Sequence, residues 1–294
     1  MKLIFGCGYL GGRVAQLWKN QGEPVAAVTR SADRAHKLAQ LGIESIVADV
    51  TDEKALREKL PKNVTTVLYA IGFDRSSGHS MRAVYVDGLN NVLDALLPTV
   101  EKIIYISSTG VFGDFSGEWI DESSPCRPDR EGGRVCLAAE ELLAAHTLGQ
   151  RSVVLRMAGI YGPGRIPRRK ELIAGEPIAA PEQGWLNLIH VEDAAQVVIA
   201  AEKLSCPPPR MYLATDGHPV LRGDYFRELA KILSAPSPTF MSANPSSPAA
   251  DRAASSKRIR IAKLLADLPL DFAYPSYREG LASSVVSENQ TAGL

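Results

Sequence analysis

The sequence predicts an α/β protein with a Rossmann-type, doubly wound parallel sheet and a smaller, discontinuous C-terminal lobe. Three observations indicate this fold. Short apolar runs rich in strand formers alternate with helical patterns through the first 160 of the 294 residues. A glycine-rich turn joins the first strand to the first helix, and the regular alternation ends near Gly162. Because each parallel crossover needs a helix that packs back on the sheet, both faces of the sheet should be covered.

Six strands and the helices between them are predicted in chain order. The strands fall at residues 1–5, 24–28, 44–48, 64–70, 102–106 and 152–156. Helical spacing predicts one helix directly after the first strand, a second capped by Ser31, and others at 53–60, 81–97 and 137–145. Ligands of such sheets bind at the carboxyl ends of the strands, where the strand order reverses.

The pattern loosens beyond residue 160. A strand is predicted at 186–189, a helix begins near Val191, and residues 211–233 are predicted to form a strand, a loop and a helix. Residues 234–256 are rich in Ser, Pro and Ala and are predicted to be irregular, and the chain from Ser283 onward is predicted to be a frayed tail. We therefore predict a sheet domain at 1–160, completed by 184–204, and a smaller lobe at 161–294.

Composition argues against several classes of partner. The 33 Lys and Arg balance the 33 Asp and Glu, so no net charge attracts nucleic acid or an anionic membrane. No apolar run approaches the roughly 20 residues of a membrane span, and the N-terminal run is too short for a signal peptide, which predicts a cytoplasmic protein. Four cysteines and five histidines lack ligand spacing, so neither a metal site nor a disulfide framework is predicted.

Glycines stand at positions 6, 8 and 11 of the first turn. In such a turn Gly6 permits the bend, Gly8 lets a pyrophosphate approach the backbone, and Gly11 lets the helix pack closely on the strand. The free N–H groups where the helix begins, around Tyr9 and Leu10, face the phosphates. An ordinary glycine-rich turn is the alternative, but the strand before it and the helix after it favour dinucleotide binding.

The end of the second strand predicts which nucleotide binds. An acidic residue at this place bonds the ribose hydroxyls of NAD, whereas the 2′-phosphate of NADP requires a cation. Arg30 stands there, with Ser31 next to it and Arg34 one helical turn later. Arg30 can bind phosphate with two hydrogen bonds or stack on adenine, and Ser31 can add a hydroxyl bond, so NADP is favoured over NAD. Asp33 is the competing ribose ligand, although a carboxylate is also common in a first helical turn.

Short motifs follow the later strands in a recognisable order, at residues 48–50, 69–72, 86–92, 106–113, 155–156, 161–164 and 188–194. Together with the glycine turn they resemble the extended short-chain dehydrogenase/reductase family, the NAD(P)-dependent epimerase/dehydratase group, over almost the whole chain. The resemblance implies that Asp49 bonds the adenine amino group, although a strand-end cap is the alternative. It also implies that Val50, Ala70 and Gly72 line the cofactor and that Ser108 bonds the substrate oxygen.

The resemblance fails at the catalytic pair. That family transfers a hydride and uses a tyrosine whose pKa is lowered by a lysine four residues later. Gly132 and Cys136 stand at these two positions. Asp87 replaces the family's usual asparagine, either to position a water or substrate hydroxyl or to form a buried polar contact. Ser108 remains from the catalytic set, as a catalytic residue or as a cap on local backbone.

Two classes of function are compatible with this pattern. The first is an NADP-dependent oxidoreductase or epimerase that acts on a sugar-like or small carbonyl compound through a nonstandard proton relay. The second is a catalytically silent NADP(H)-binding sensor, and a scaffold without nucleotide is a weaker third. An anionic substrate could pair with Arg156 or Arg165, and His190 could touch substrate, whereas Tyr161 is expected in the core. The helices after strands four and five could pair two subunits as a homodimer.

Overall fold

A seven-stranded parallel sheet forms the centre of the protein, whose computed structural model describes residues 1–241 and 255–292, the last four by backbone alone. The strands of the described chain are β1 (Lys2–Phe5), β2 (Val25–Thr29), β3 (Glu44–Val47), β4 (Thr66–Tyr69), β5 (Lys102–Ser108), β6 (Trp119–Ile120), β7 (Ser152–Met157), β8 (Gly159–Tyr161), β9 (Ile178–Ala179), β10 (Trp185–Leu186), β11 (Leu188–His190), β12 (Arg210–Ala214), β13 (Val220–Leu221), β14 (Phe240–Met241) and β15 (Arg258–Ile259). The order across the central sheet is β3-β2-β1-β4-β5-β7-β12, so the strand order reverses between β1 and β4.

Ten α-helices are described beside these strands. They are α1 (Gly11–Asn20), α2 (Ala32–Gln40), α3 (Glu53–Lys59), α4 (Gly88–Ala95), α5 (Glu131–Ala145), α6 (Arg169–Ala174), α7 (Val191–Glu202), α8 (Arg222–Ile232), α9 (Ala262–Asp267) and α10 (Tyr277–Ala292). The predicted fold class is confirmed. All six predicted strands form in the parallel sheet, and β12 adds a seventh.

Alternate residues of the central strands enter two separate apolar layers, as the period of two in a strand requires. Ile4 of β1 and Leu68 of β4 are buried in one layer, which is covered by α1 and α7. Leu3 of β1 and Val67 of β4 are buried in the other, which is covered by α3, α4 and α5. The sheet is therefore covered on both faces, and its carboxyl edge is left for ligands.

A third apolar cluster forms the C-terminal lobe. It contains Tyr161, Tyr225 and Leu281 among its buried members and receives α8 and α10. The helix α7, although it follows β11 late in the chain, packs instead against α1 and the central sheet.

Three local predictions were wrong. The helix predicted at 81–97 is divided into a π-helical turn, Ala83–Asp87, and α4, and Tyr69 Oη donates to the Val84 carbonyl in that turn at 3.0 Å. The helix predicted at 137–145 begins earlier, at Glu131, and Gly133 in its first turn lets it pack closely against the backbone at Gly110. A Cβ at Gly133 would lie 2.3 Å from the Gly110 carbonyl oxygen.

The tail predicted from Ser283 onward is the third error, since α10 continues to Ala292. Leu281 and Val285 are buried on this helix, one turn apart, and pack in the third cluster. This packing stabilises the helix, although its weakly amphipathic sequence gave no sign of it. Of the segment predicted to be irregular, residues 242–254 lie outside the described residues.

Candidate functional site

A cleft of about 880 Å³ opens at the carboxyl ends of β1, β2 and β4, where the strand order reverses. All the predicted cofactor-binding residues except Gly11 and Ser31 line it: Gly6, Gly8, Tyr9, Leu10, Arg30, Arg34, Asp49, Val50, Ala70 and Gly72. Residues that the sequence analysis did not identify also line it, namely Ile71, Phe73, Asp74, Ser77, Val84, Ile106 and Ile160. Ile71 and Ile106 lie within the motifs at 69–72 and 106–113, whereas the other five belong to segments without a motif, where no sequence signal indicated them.

The three glycines of the first turn differ in their surroundings, as the motif predicts. Gly6 has φ +89°, and a Cβ there would lie 2.4 Å from the Ala70 carbonyl oxygen. A Cβ at Gly11 would lie 2.3 Å from the Gly6 carbonyl oxygen, so Gly11 brings α1 against the turn without lining the cleft. Gly8 lines the cleft, and a Cβ there would meet no atom within 4 Å. The open space at Gly8 fits the approach of a diphosphate to the backbone.

The start of α1 suits an anion. Leu10 is the N-cap residue and offers no side-chain acceptor, so the first turn of α1 lacks the usual capping side chain. Tyr9 lies between two cations, with the guanidinium carbons of Arg13 and Arg165 at 4.4 and 5.4 Å from the centre of its ring. Arg165 itself lines the cleft. A diphosphate bound at Gly8 would therefore have a basic side chain on the side of the C-terminal lobe.

Both arginines expected at the ribose end face the cleft but already have partners. Arg30 forms an ion pair with Asp74, with 2.9 Å between Nη2 and Oδ2. Arg34 donates through Nη2 to the Cys7 carbonyl at 2.7 Å and so braces the glycine turn. Ser31 caps α2 by accepting from the Arg34 backbone N–H at 3.3 Å, and it does not line the cleft.

Of the two roles that the sequence left open for Asp49, the structure shows the strand-end cap, and the bond to adenine stays a prediction. Its Oδ1 accepts from the backbone N–H and the hydroxyl of Thr51, each at 2.8 Å, which makes it a strand-end cap. It also lines the cleft, and its Oδ2 lies 4.0 Å from His79 Nε2. Val50 is fixed beside it, since the Asn91 amide donates to the Val50 carbonyl at 2.9 Å.

The predicted catalytic residues do not form one constellation. Ser108 is half-buried at the end of β5, and its Oγ accepts from the Gly110 backbone N–H at 3.0 Å. Asp87 is exposed in the π-helical turn and does not line the cleft, so the predicted buried polar contact is absent from the described part of the chain. Cys136 is a poor nucleophile, because burial, followed by the charge of Glu140, raises the pKa of its thiol to about 11.

Other candidates belong to the core. Arg156 is buried and binds both carboxylate oxygens of Glu140, with 2.6 Å between Nη2 and Oε2, so the idea that it meets an anionic substrate is wrong. Tyr161 is 1% exposed and donates to the Ser276 carbonyl at 3.4 Å, as expected for a core aromatic. His190 is also buried, and burial lowers its pKa to about 4, so it is neutral at physiological pH.

A buried carboxyl group that the sequence analysis missed lies just beyond β12. Asp216 is 4% exposed, and its Oδ2 has no hydrogen-bond partner in the described chain. Burial raises the pKa of this carboxyl from 3.8 to about 7, although the His218 backbone N–H donates to Oδ1 at 2.9 Å. The folded chain therefore keeps a proton here that the unfolded chain loses at lower pH.

We expect the variant Asp216→Asn to be more stable than the native protein at pH 8. The native folded state loses stability relative to the unfolded state as pH rises from about 4 to about 7, and asparagine removes that titration. The advantage in free energy of unfolding should grow by roughly 2–3 kcal/mol between pH 5 and pH 8. Urea unfolding at both pH values measures it, with the exposed Asp271→Asn as control. An advantage that does not change with pH would contradict the raised pKa.

Comparison with known proteins supports the fold. The family model described as "NAD dependent epimerase/dehydratase family" matches residues 3–213, which include the whole cleft. The chain belongs to this family. It is 31% identical over 251 residues to Protein YeeZ of Escherichia coli K12, covering 81% of this chain and 85% of YeeZ.

Two solved structures extend the comparison. A functionally unknown conserved protein from Silicibacter pomeroyi is 28% identical with a TM-score of 0.81, covering 97% of this chain and 98% of that one. UDP-glucose 4-epimerase of Thermus thermophilus, solved in complex with NAD, is 19% identical with a TM-score of 0.79 and covers 98% and 99% of the two chains. The second likeness shows the fold alone.

No helix in residues 1–241 and 255–292 has the length and apolar character needed to cross a bilayer. The same residues contain no group of three or more His, Cys, Asp or Glu side chains that could hold a metal ion.

Proposed function

We propose that the protein is an NADP-dependent oxidoreductase of the epimerase/dehydratase family that acts on a small, anionic carbonyl or sugar-like compound. The cleft carries this proposal, since its glycine turn is open at Gly8 and Arg30 stands where an NAD-specific chain has an acid. When bound, the cofactor would supply or accept a hydride. Gly6, Gly8 and Arg165 would hold its diphosphate, Arg30 its 2′-phosphate and Asp49 its adenine.

Ser108 is the residue that this chain offers to the reacting oxygen. Its Oγ accepts from the Gly110 N–H, which leaves the hydroxyl proton to donate to a substrate oxygen. Titration of NADPH and NADH by fluorescence tests binding. Oxidation of NADPH with a panel of carbonyl compounds, lost on Ser108→Ala, tests turnover, and failure of either nucleotide to bind would contradict the proposal.

A catalytically silent NADP(H) sensor is the second candidate. One observation favours it, because Gly132 and Cys136 stand on α5 in place of the tyrosine and lysine, and the Cys136 thiol stays protonated. Tight binding of NADPH together with no oxidation across the panel would support the sensor. The homodimer remains a prediction, which sedimentation of the purified protein tests.

We expect Arg30→Ala to weaken NADPH binding about tenfold or more while changing NADH binding less than twofold, because the 2′-phosphate loses its cation.

Asp74→Asn should strengthen NADPH binding relative to NADH binding. The Asp74 carboxylate forms an ion pair with Arg30 and so competes with a phosphate for that cation. Hydrogen bonds from Ser76, and then from Arg30, lower the pKa of Asp74, so it is ionised at neutral pH. Fluorescence titration with both nucleotides measures the ratio, with the exposed neighbour Arg75→Ala as control. Equal losses for NADPH and NADH on Arg30→Ala would contradict NADP preference.

A further inference from the structure

Lys257 is a buried cation from the C-terminal part of the chain that binds the loop after β5. It is 6% exposed, and its Nζ donates to the Gly113 carbonyl at 2.7 Å and to Ser255 Oγ at 2.8 Å. Both acceptors are neutral, and an ammonium group has three protons to donate. One donor of Lys257 is thus left without an acceptor in the described chain.

Arg130 approaches the same loop from the residue before α5. The point where a Cβ of Gly110 would lie is 3.2 Å from Ser108 Oγ and 3.3 Å from Arg130 Nη2, so both groups border the same space. Arg130 Nε is buried and has no hydrogen-bond partner in the described chain. The nearest carboxylate oxygen is on Asp129, which is 43% exposed and lies 3.8 Å away.

These two cations act on each other. Burial, and then the charge of Arg130, lowers the pKa of the Lys257 ammonium to about 8, against weaker opposite effects of Asp129 and Asp114. A buried charge without a hydrogen-bonded counter-ion is costly, and a bound anion removes that cost. Lys257 is therefore a buried ammonium group without a hydrogen-bonded carboxylate in the described chain. Arg130, whose side chain is 25% exposed, adds a second cation at the same loop.

This site adjoins the cofactor cleft. Ile106 lines the cleft, and Ser108 lies two residues further along β5, on the same face of the strand. Gly132, where the family's tyrosine would stand, leaves space beside Arg130. A Cβ at Gly132 would have Met81 Sδ, at 3.7 Å, as its nearest neighbour.

We propose that Arg130 and Lys257 form an oxyanion-binding site beside Ser108 that selects substrates carrying a carboxylate or phosphate group. A guanidinium binds such groups with two hydrogen bonds, and Lys257 adds a point charge. The bound group would fix the substrate with its carbonyl near Ser108. The assignment of the ligand as substrate rests on the proposed function, whereas the anion site itself does not.

Sulfate binding tests the site without any cofactor. Isothermal titration uses the Gly8→Glu, Arg30→Ala background, in which the diphosphate space is filled and the cation proposed for the 2′-phosphate is removed, so that sulfate reports on the loop after β5. We expect Arg130→Gln and Lys257→Met each to weaken sulfate binding at least tenfold, and Arg130→Lys to weaken it less than Arg130→Gln, because lysine keeps the charge but loses the two-point hydrogen bonding. The exposed Arg127→Gln, with the same change of charge in the same segment, should have no effect.

The outcomes separate this site from the proposed function. Absence of sulfate binding, equal affinity in Arg130→Gln, Lys257→Met and the parent, or an equal loss on Arg127→Gln would overturn the site. Circular dichroism shows whether each variant folds, and Arg130→Gln tests the site even if Lys257→Met does not fold. With NADPH bound to the native chain, glyceraldehyde 3-phosphate should bind at least tenfold more tightly than glyceraldehyde, and Arg130→Gln should remove this preference. If NADPH does not bind, the proposed oxidoreductase function is rejected. If sulfate binding is nevertheless lost on Arg130→Gln, the anion site still stands.

Discussion

Replacing Gly8 by glutamate should weaken NADPH binding at least 100-fold and leave the fold intact. A Cβ at Gly8 meets no protein atom within 4 Å, so the new side chain enters the cleft without a clash. It fills the space for the diphosphate and places a carboxylate beside it. The loss corresponds to about 2.7 kcal/mol of binding free energy or more. Fluorescence titration measures it, with thermal unfolding as the check on folding.

Gly12→Ala is the matched control for this variant. Gly12 lies in α1, four residues away, where a Cβ would meet its nearest atom at 4.0 Å, and it does not line the cleft. Alanine there should leave the affinity unchanged. Gly6 would be a poor choice, because its φ of +89° and the clash with Ala70 couple any substitution to folding. If Gly8→Glu binds NADPH as tightly as the native protein, the diphosphate does not bind at this turn, and the proposed cofactor site is wrong.

Replacing Glu140 by alanine should lower the free energy of unfolding by about 3–5 kcal/mol, because it leaves the Arg156 guanidinium buried without its counter-ion. The pair joins α5 to β7, and the Ser107 hydroxyl on β5 also donates to Glu140. The Arg156 guanidinium carbon lies 4.9 Å from the centre of the Phe112 ring and its side chain is 8% exposed, so the unpaired charge would stay largely shielded from water. Urea unfolding measures the loss.

Glu141→Ala is the control, since Glu141 is exposed on the next position of the same helix. It should change stability by less than about 0.5 kcal/mol. The double variant Glu140→Leu with Arg156→Met should recover most of the loss, because it removes both charges and keeps the volume. A loss below about 1 kcal/mol in Glu140→Ala would show that the pair is hydrated in solution. The same pair fixes α5, which places Arg130 and Gly132 beside Ser108.

The sequence alone determined the class of fold and most of the cofactor cleft. Strand formers in short runs, helical spacing between them and the glycines at 6, 8 and 11 are local signals, because each depends on backbone geometry within a few residues. They sufficed to predict the strands of the parallel sheet and to bring Gly8, Arg30, Asp49 and Ala70 to one edge. The match to the epimerase/dehydratase family agrees with that reading.

Only the tertiary structure decided which charged side chains are available to a ligand. Arg156 and Arg165 looked equivalent along the chain, yet Glu140 neutralises the first in the core while the second lines the cleft. Lys257 donates a hydrogen bond to the loop after β5, more than 140 residues away in the sequence. No periodicity or motif predicts such a contact. The physical reason is that pairing and burial of charge depend on long-range packing, whereas strands, turns and helix starts are determined within a few neighbouring residues.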